Sequence, residues 1–230
     1  MKKLIIKYSI EFFVIVFSIS VSFFVENIRE ENEKDNLRLL VKQSLLEELK
    51  SGNEFLKFRE IAFNSDLKAI ELILNEETPI DSIFSNVSIA GFSNAFMIAR
   101  NFNPPSSVYN SLINDGSINL IKSQELKTLI EDTYVTFTSV IQGWAEGEGE
   151  LADKIKIHIM ENHSEYYLKD IYTKTDLGIM LEFHKMVQKD RKLKAYLKAK
   201  TEPMVVKQYS LNNYIEKRNS LISALEESLK

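Results

Sequence analysis

The sequence predicts an all-α chain in which one N-terminal transmembrane helix precedes a soluble multi-helix bundle. Three observations carry this. Only seven glycines and four prolines interrupt 230 residues, too few for a sandwich of short strands joined by Gly- and Pro-rich turns. Leu, Ile, Lys and Glu are abundant and recur at helical spacings, as long amphipathic helices require. A run from Tyr8 to Val25 near the N-terminus is apolar apart from Glu11, and as a helix its length comes to about 27 Å, close to a bilayer core.

The charges around that run orient it. Lys2, Lys3 and Lys7 precede it, whereas Glu26, Glu30, Glu31, Glu33 and Asp35 outnumber Arg29, Lys34 and Arg38 beyond it. The positive-inside rule therefore assigns 1–7 to the cytoplasm, 8–25 to the span and 26–230 to an extracytoplasmic helical domain. A cleaved signal peptide competes, with Ser20-Val21-Ser22 as a small-x-small site, but large Phe23 and Phe24 follow and the run is long for such a segment. A second uncharged stretch, Ser82 to Ala99, is too rich in Ser and Asn for a span and is expected to be a buried or irregular part of the domain.

Within the span, Glu11, Ser18 and Ser22 stand at i, i+7 and i+11, within about 40° of one another on a helix. This stripe is a candidate surface for self-association or for a partner helix. The alternative is that Glu11 pairs with Lys7 near the interface while the serines bond their own backbone.

After Val25 no turn signal appears, so anchor and stalk are expected to form one helix, the stalk and bundle helix covering 26–77. Leu45, Leu49, Leu56, Phe63, Leu67, Ile70 and Leu74 follow helical spacing, with a break expected at Ser51-Gly52 and a stop near Thr78-Pro79. Asn103-Pro104-Pro105-Ser106 is the clearest loop, with Ser106 or Ser107 as the cap of the next helix. Residues 107–140 are expected to form a helical hairpin. In it Gly116 takes the left-handed turn, Ile118, Leu120 and Ile121 turn inward, and Ser123 caps the second arm, which carries Leu126. Gly143, Gly147 and Gly149 crowd around Trp144 and predict a bend or hinge, because each costs a helix about 1 kcal/mol. Further on, Asp190 can cap the run RKLKAYLKAK, and Pro203 suits the first turn of a last helix over 203–229.

Two stretches resemble a bacterial family of unknown function common in the Bacteroidota, whose members have one N-terminal span and a helical domain. One is the glutamate-headed span from Glu11 with its Asn- and Glu-rich exit. The other is YNSLINDGSINLIKSQELKTLIEDTY from Tyr109, similar to the family's Tyr-x-x-Leu, Gly, Leu-Ile, Leu hairpin and led by Tyr109. The Phe- and Ser-rich span and the polar Ser82 to Asn94 stretch depart from the pattern. The resemblance carries over no catalytic residue, and with it the positive-inside reading puts the span in a bacterial cytoplasmic membrane.

The search for chemistry returns little. With a formal charge of -4 and no basic patch interleaved with aromatics, nucleic acid is not an expected partner. The absence of cysteine excludes disulfides, thiolate nucleophiles and Cys-based metal sites. His158, His163 and His184 belong to no H-E-x-x-H motif. On one continuous helix His158 and His163 project about 140° apart, so a site from His158, Glu161 and His163 is not expected. No phosphate loop or nucleophile elbow is present, and no metal, cofactor or catalytic residue is expected. The functional expectation is a membrane-anchored, non-catalytic interaction or sensory module. Its alternatives are an oligomerising small subunit of a transport, envelope or anti-phage assembly, or an enzyme without a recognisable motif. A protein partner or a homo-oligomer is expected in addition to the membrane.

Overall fold

The computed structural model describes residues 2–77, 79, 95–168 and 177–230. Its elements are α1 (Lys2–Ser51), α2 (Asn53–Leu74), α3 (Ser107–Asn114), a 3-10 turn (Ser117–Leu120), α4 (Gln124–Glu131), a π turn (Asp132–Thr136), α5 (Phe137–Asn162), α6 (Ser164–Leu168), α7 (Leu177–Lys189) and α8 (Arg191–Ser228). All regular structure among the described residues is helical.

The apolar run, the charged exit and the first core residues share one helix. α1 is 50 residues long, about 75 Å at 1.5 Å per residue. Its apolar part is the one stretch of the described residues that is long and apolar enough to cross a membrane, with mean hydropathy 1.7 and no buried residue. From Glu11 to Leu37 every residue is exposed. The polar exit is supported by its own charges, with Arg29 2.9 Å from Glu26 and 3.6 Å from Glu33, and Lys34 3.5 Å from Glu30. Such pairs one turn apart each add a few tenths of a kcal/mol, roughly 0.2–0.5, to an isolated helix.

The bundle begins at Val41 and has three long columns. α1 and α2 ascend, α4 and α5 ascend beside them, and α8 descends between. The contacts along α8 show the antiparallel pairing: Lys42 donates to the Ser228 carbonyl, Lys50 pairs with Glu226, Arg218 reaches Asn53, and Gln208 meets Asn64. Near the other end, Lys194 meets Glu76. The core divides into three clusters in the same order. Val41, Leu45, Leu126, Leu221 and Leu225 fill the end next to the exposed part of α1, Leu56, Phe63, Phe102, Ile141 and Leu211 the middle, and Ile70, Ile73, Ile155, Phe183, Leu193 and Leu197 the far end.

Buried positions repeat in alternating steps of three and four, the heptad spacing of helices packed side by side. On α8 the series is Leu193, Leu197, Lys200, Met204, Lys207, Leu211, Tyr214, Arg218, Leu221 and Leu225. Along α1 and α2 it runs Leu45, Leu49, Gly52, Leu56, half-buried Arg59, Phe63, Asp66, Ile70 and Ile73, passing through the single non-helical residue Gly52. The third column keeps the pattern over Leu126, Ile130, Thr133 and Phe137 and resumes one residue late over Ile141, Ala145, Glu148, Ala152 and Ile155. The π turn lies at this slip. A π turn carries one extra residue per turn, which brings both frames of the column to face α8.

The structure corrects three expectations. Gly143, Gly147 and Gly149 do not break the helix, because α5 runs uninterrupted through them. Packing against α8 outweighs their low propensity, and the irregularity falls upstream in the π turn. Pro203 does not begin a helix but lies inside the 38-residue α8. Its missing N–H and its ring cost roughly 3 kcal/mol in a helix interior, offset by the buried seam on both sides of it. Neither Ser106 nor Ser107 caps α3 through its hydroxyl. Glu48 does so from α1, accepting the backbone N–H of Val108 at 2.6 Å and of Tyr109 at 3.2 Å. Of the stretch from Ser82 to Ala99, residues 82–94 lie outside the described residues, while Ala95, Phe96 and Met97 are buried.

A Cβ added at Gly143 or Gly147 would meet nothing within 4 Å. Gly143→Ala and Gly147→Ala should therefore each stabilise the chain by about 0.5–1 kcal/mol. Gly116→Ala should destabilise it by about 1 kcal/mol, because Gly116 holds φ at 77°. Thermal melts of the full chain in detergent read all three, and a lower melting temperature for Gly143→Ala would restore the bend.

Candidate functional site

Two polar centres lie on the α5–α8 seam, one at the far tip and one in the middle. At the tip α5 ends at Asn162, and His163 leaves the helix with φ -140° and ψ 43° while its N–H still bonds the Ile159 carbonyl at 2.8 Å. The 140° separation of a continuous helix therefore does not apply. The two imidazoles lie 6.1 Å apart between ring centres.

What joins them is Asp190, at the N-cap of α8. One of its oxygens, Oδ1, accepts the backbone N–H of Lys192 at 2.9 Å and of Leu193 at 3.0 Å. This cap satisfies two of the N–H groups that a helix start leaves unpaired. The other oxygen, Oδ2, lies 2.7 Å from His158 Nε2 and 2.7 Å from His163 Nε2. Asn162 directs its Nδ2 to His158 Nδ1 at 3.2 Å and to the His158 carbonyl at 2.9 Å. His158 is buried, and Tyr196 of α8 presents its ring edge-on 5.9 Å away. Burial acts to raise the Asp190 carboxyl, but hydrogen bonds from His163, the Leu193 amide and His158 outweigh it and hold the group well below the ordinary aspartate range. His163 and Asp190 border a cleft of about 980 Å³ shared with Glu165, Tyr166, Glu182 and Lys185.

The second centre lies between the middle and far clusters. Glu148 of α5 is 1% exposed and bridges two cations of α8, Lys200 at 3.3 Å and Lys207. Lys200 also donates to the carbonyls of Ala95 and of Ile98, the latter at 2.9 Å. Lys207 lies 4.1 Å from the centre of the Phe63 ring. Asp66 of α2 pairs with Arg100 through both of its oxygens, one at 3.0 Å. Burial lowers Lys200 to about 8 despite Glu148, and lowers Lys207 as well. It raises Asp66 against the pull of Arg100. All five charges are paired with one another, so this centre holds the columns together.

The residues singled out in the sequence are distributed elsewhere. Ser18 and Ser22 are exposed and donate to the carbonyls of Val14 at 2.7 Å and Ser18 at 2.9 Å, which is the self-bonding arrangement. Glu11 is exposed on the same helix. In the hairpin, Tyr109 stacks on Tyr134 of the π turn with centroids 4.4 Å apart, Ile121 and Leu126 are buried beside Leu45, and Leu120 packs against them. Ser123 Oγ accepts the Leu126 N–H at 3.3 Å. Sequence reasoning noticed His158, His163 and Asp190 but did not join them, since 27 residues separate the last two. It missed Lys200 and Lys207, although their heptad spacing from Leu193 and Leu197 marks them as seam positions. No protein-family model, curated protein or solved structure matches the chain.

Two outcomes follow. Removing the carboxylate in Glu148→Ala leaves Lys200 and Lys207 buried without an anion, which should cost about 3–5 kcal/mol and lower the melting temperature far more than Glu146→Ala on the exposed face. The folded-state value of Asp190 lies below the ordinary value of 3.8. Its contribution is therefore complete above about pH 4 and is lost as pH falls further, through the folded value. The melting difference between wild type and Asp190→Asn should be largest near neutrality and shrink toward about pH 3; a difference that grows on acidification would contradict the assignment.

Proposed function

We propose that the chain is a membrane-anchored, non-catalytic sensory or interaction module whose recognition end is the tip formed by α5, α7 and the start of α8. The observation that carries this reading is the placement of the tip cleft at the end of the bundle opposite the apolar run. α8 descends from Asp190 at that cleft to Ser228 beside Lys42, where the exposed part of α1 begins. At 1.5 Å per residue the two ends are about 55 Å apart. An anchor in the cytoplasmic membrane of a bacterium would hold the cleft well clear of the lipid surface. The excess of Lys before the run and of Glu after it favours a cytoplasmic N-terminus and an extracytoplasmic bundle, and the likeness to single-span proteins of the Bacteroidota favours the same membrane. Exposed Phe58 and Ile61 on α2, and Val205 and Tyr209 on the neighbouring α8, offer apolar surface of the kind that partners cover.

Thiol labelling tests the arrangement, because the chain has no cysteine of its own. A membrane-impermeant maleimide should reach Glu150→Cys in intact cells and Lys3→Cys only after permeabilisation. Labelling of Lys3→Cys from outside with Glu150→Cys protected would invert the topology, and recovery of both in the soluble fraction would remove the anchor.

A further inference from the structure

We infer that His158, His163 and Asp190 form a binding site for a divalent transition-metal ion such as Zn2+. It names a ligand for the recognition tip proposed above, but its evidence is the geometry of the three side chains and does not depend on the membrane.

The three ligand atoms, two imidazole Nε2 and one carboxylate Oδ2, lie within 4.8 Å of one another. Two histidines and a carboxylate are a donor set that zinc and its neighbours favour over calcium or magnesium, which take oxygen. In a four-coordinate zinc site with bonds near 2.0–2.1 Å, neighbouring ligand atoms sit about 3.3 Å apart. Here each Nε2 is 2.7 Å from Oδ2, so a small rotation of the imidazoles would admit the ion.

The supports around the ligands are those a metal site uses. Asp190 cannot turn freely, because Oδ1 is held by the Lys192 and Leu193 amides and only Oδ2 is presented. His158 is held from its other nitrogen by Asn162, which follows it by one helical turn. Both Nε2 atoms face the single oxygen Oδ2, so the three ligand atoms converge on one point. Coordination through Nε2 would require each imidazole to carry its proton at Nδ1. Asn162 lies within reach of His158 Nδ1 and, with its amide reversed and its bond to the His158 carbonyl given up, would supply the outer hydrogen bond that metal-bound histidines make. His163 and Asp190 border the cleft, so the fourth position opens into it. Lys185, Lys189, Arg191 and Lys192 also line that cleft, with Glu165 and Glu182, a mainly basic surrounding in which water or an anion would complete the coordination.

A capping aspartate that merely tied α5 to α8 would need one histidine. The second, half-buried and beyond the helix end, also bonds Oδ2 and completes a facet of three ligands.

The test uses the full chain in detergent, stripped with a chelator and titrated with Zn2+ in competition with a chromophoric chelator. Wild type should take up a single Zn2+ and melt at a higher temperature when loaded. His163→Ala and Asp190→Asn should weaken uptake by at least about 100-fold, Asn162→Ala by about 10- to 100-fold, and His184→Ala should bind as wild type does. Co2+ in place of Zn2+ should give the intense visible bands of a four-coordinate N/O complex, lost in His163→Ala. This second readout needs only the wild-type fold. No uptake by wild type, or uptake that survives both His163→Ala and Asp190→Asn, overturns the site. Labelling at Glu150 and Lys3 reads topology separately, so the metal site and the anchored arrangement can each fail alone.

Discussion

The buried bridge from Glu148 to Lys200 and Lys207 sets how α5 lies against α8, and the rest of the bundle depends on that register. Both cations occupy seam positions on α8 and the carboxylate occupies one on α5. A slip of either helix by one turn would bury three charges without partners, at a cost of several kcal/mol, roughly 3–5 for each broken pair. Apolar heptads alone tolerate such slips, since one leucine replaces another; a polar group in the seam discriminates between registers. The same register places Asp190 opposite His158 at the tip, while on its other side α8 meets α2 where Arg218 reaches Asn53.

The hairpin is fastened to this frame by a different device. Glu48 of α1 accepts two backbone amides at the start of α3, so the element whose residues suggested a family likeness is tied through a buried carboxylate to the helix that emerges from the apolar run. Burial and the neighbouring Glu48 hold the Tyr134 hydroxyl above the ordinary tyrosine range, and its ring stacks on Tyr109. Tyr109, Gly116, Ile121 and Leu126 thus shape the end of the bundle next to the apolar run and lie far from the tip cleft.

Much of the fold was legible in the sequence wherever local signals and packing agree. The apolar run, the helical class, the leucine stripe on α1 and α2, the turn at Gly116 and the caps at Ser123 and Asp190 all read directly. The failures fall where long-range contacts override local preference. Glycines in α5 read as a bend because their low helix propensity is visible in the sequence, whereas the partner helix that compensates for it is not. Pro203 read as a helix start for the same reason. The one-residue slip at Phe137 was present in the spacing of the buried positions, but recognising it requires knowing which positions are buried. The tip centre was hidden more deeply. His158 and His163 read as divergent only under the assumption that one helix carries both, and nothing local announced that the chain leaves the helix at His163 to meet an aspartate on another element.

The unbroken course of α1 has a torsional consequence. From Val25 to Val41 no loop or glycine uncouples the apolar segment from the core, so azimuth and height are transmitted together along one helical shaft. One residue inserted into that stretch would rotate the bundle by about 100° and lift it by about 1.5 Å relative to the apolar segment, while four residues would nearly restore its facing. The direction in which the tip cleft points, seen down the axis, is therefore written in the number of residues in the stalk more than in their identity.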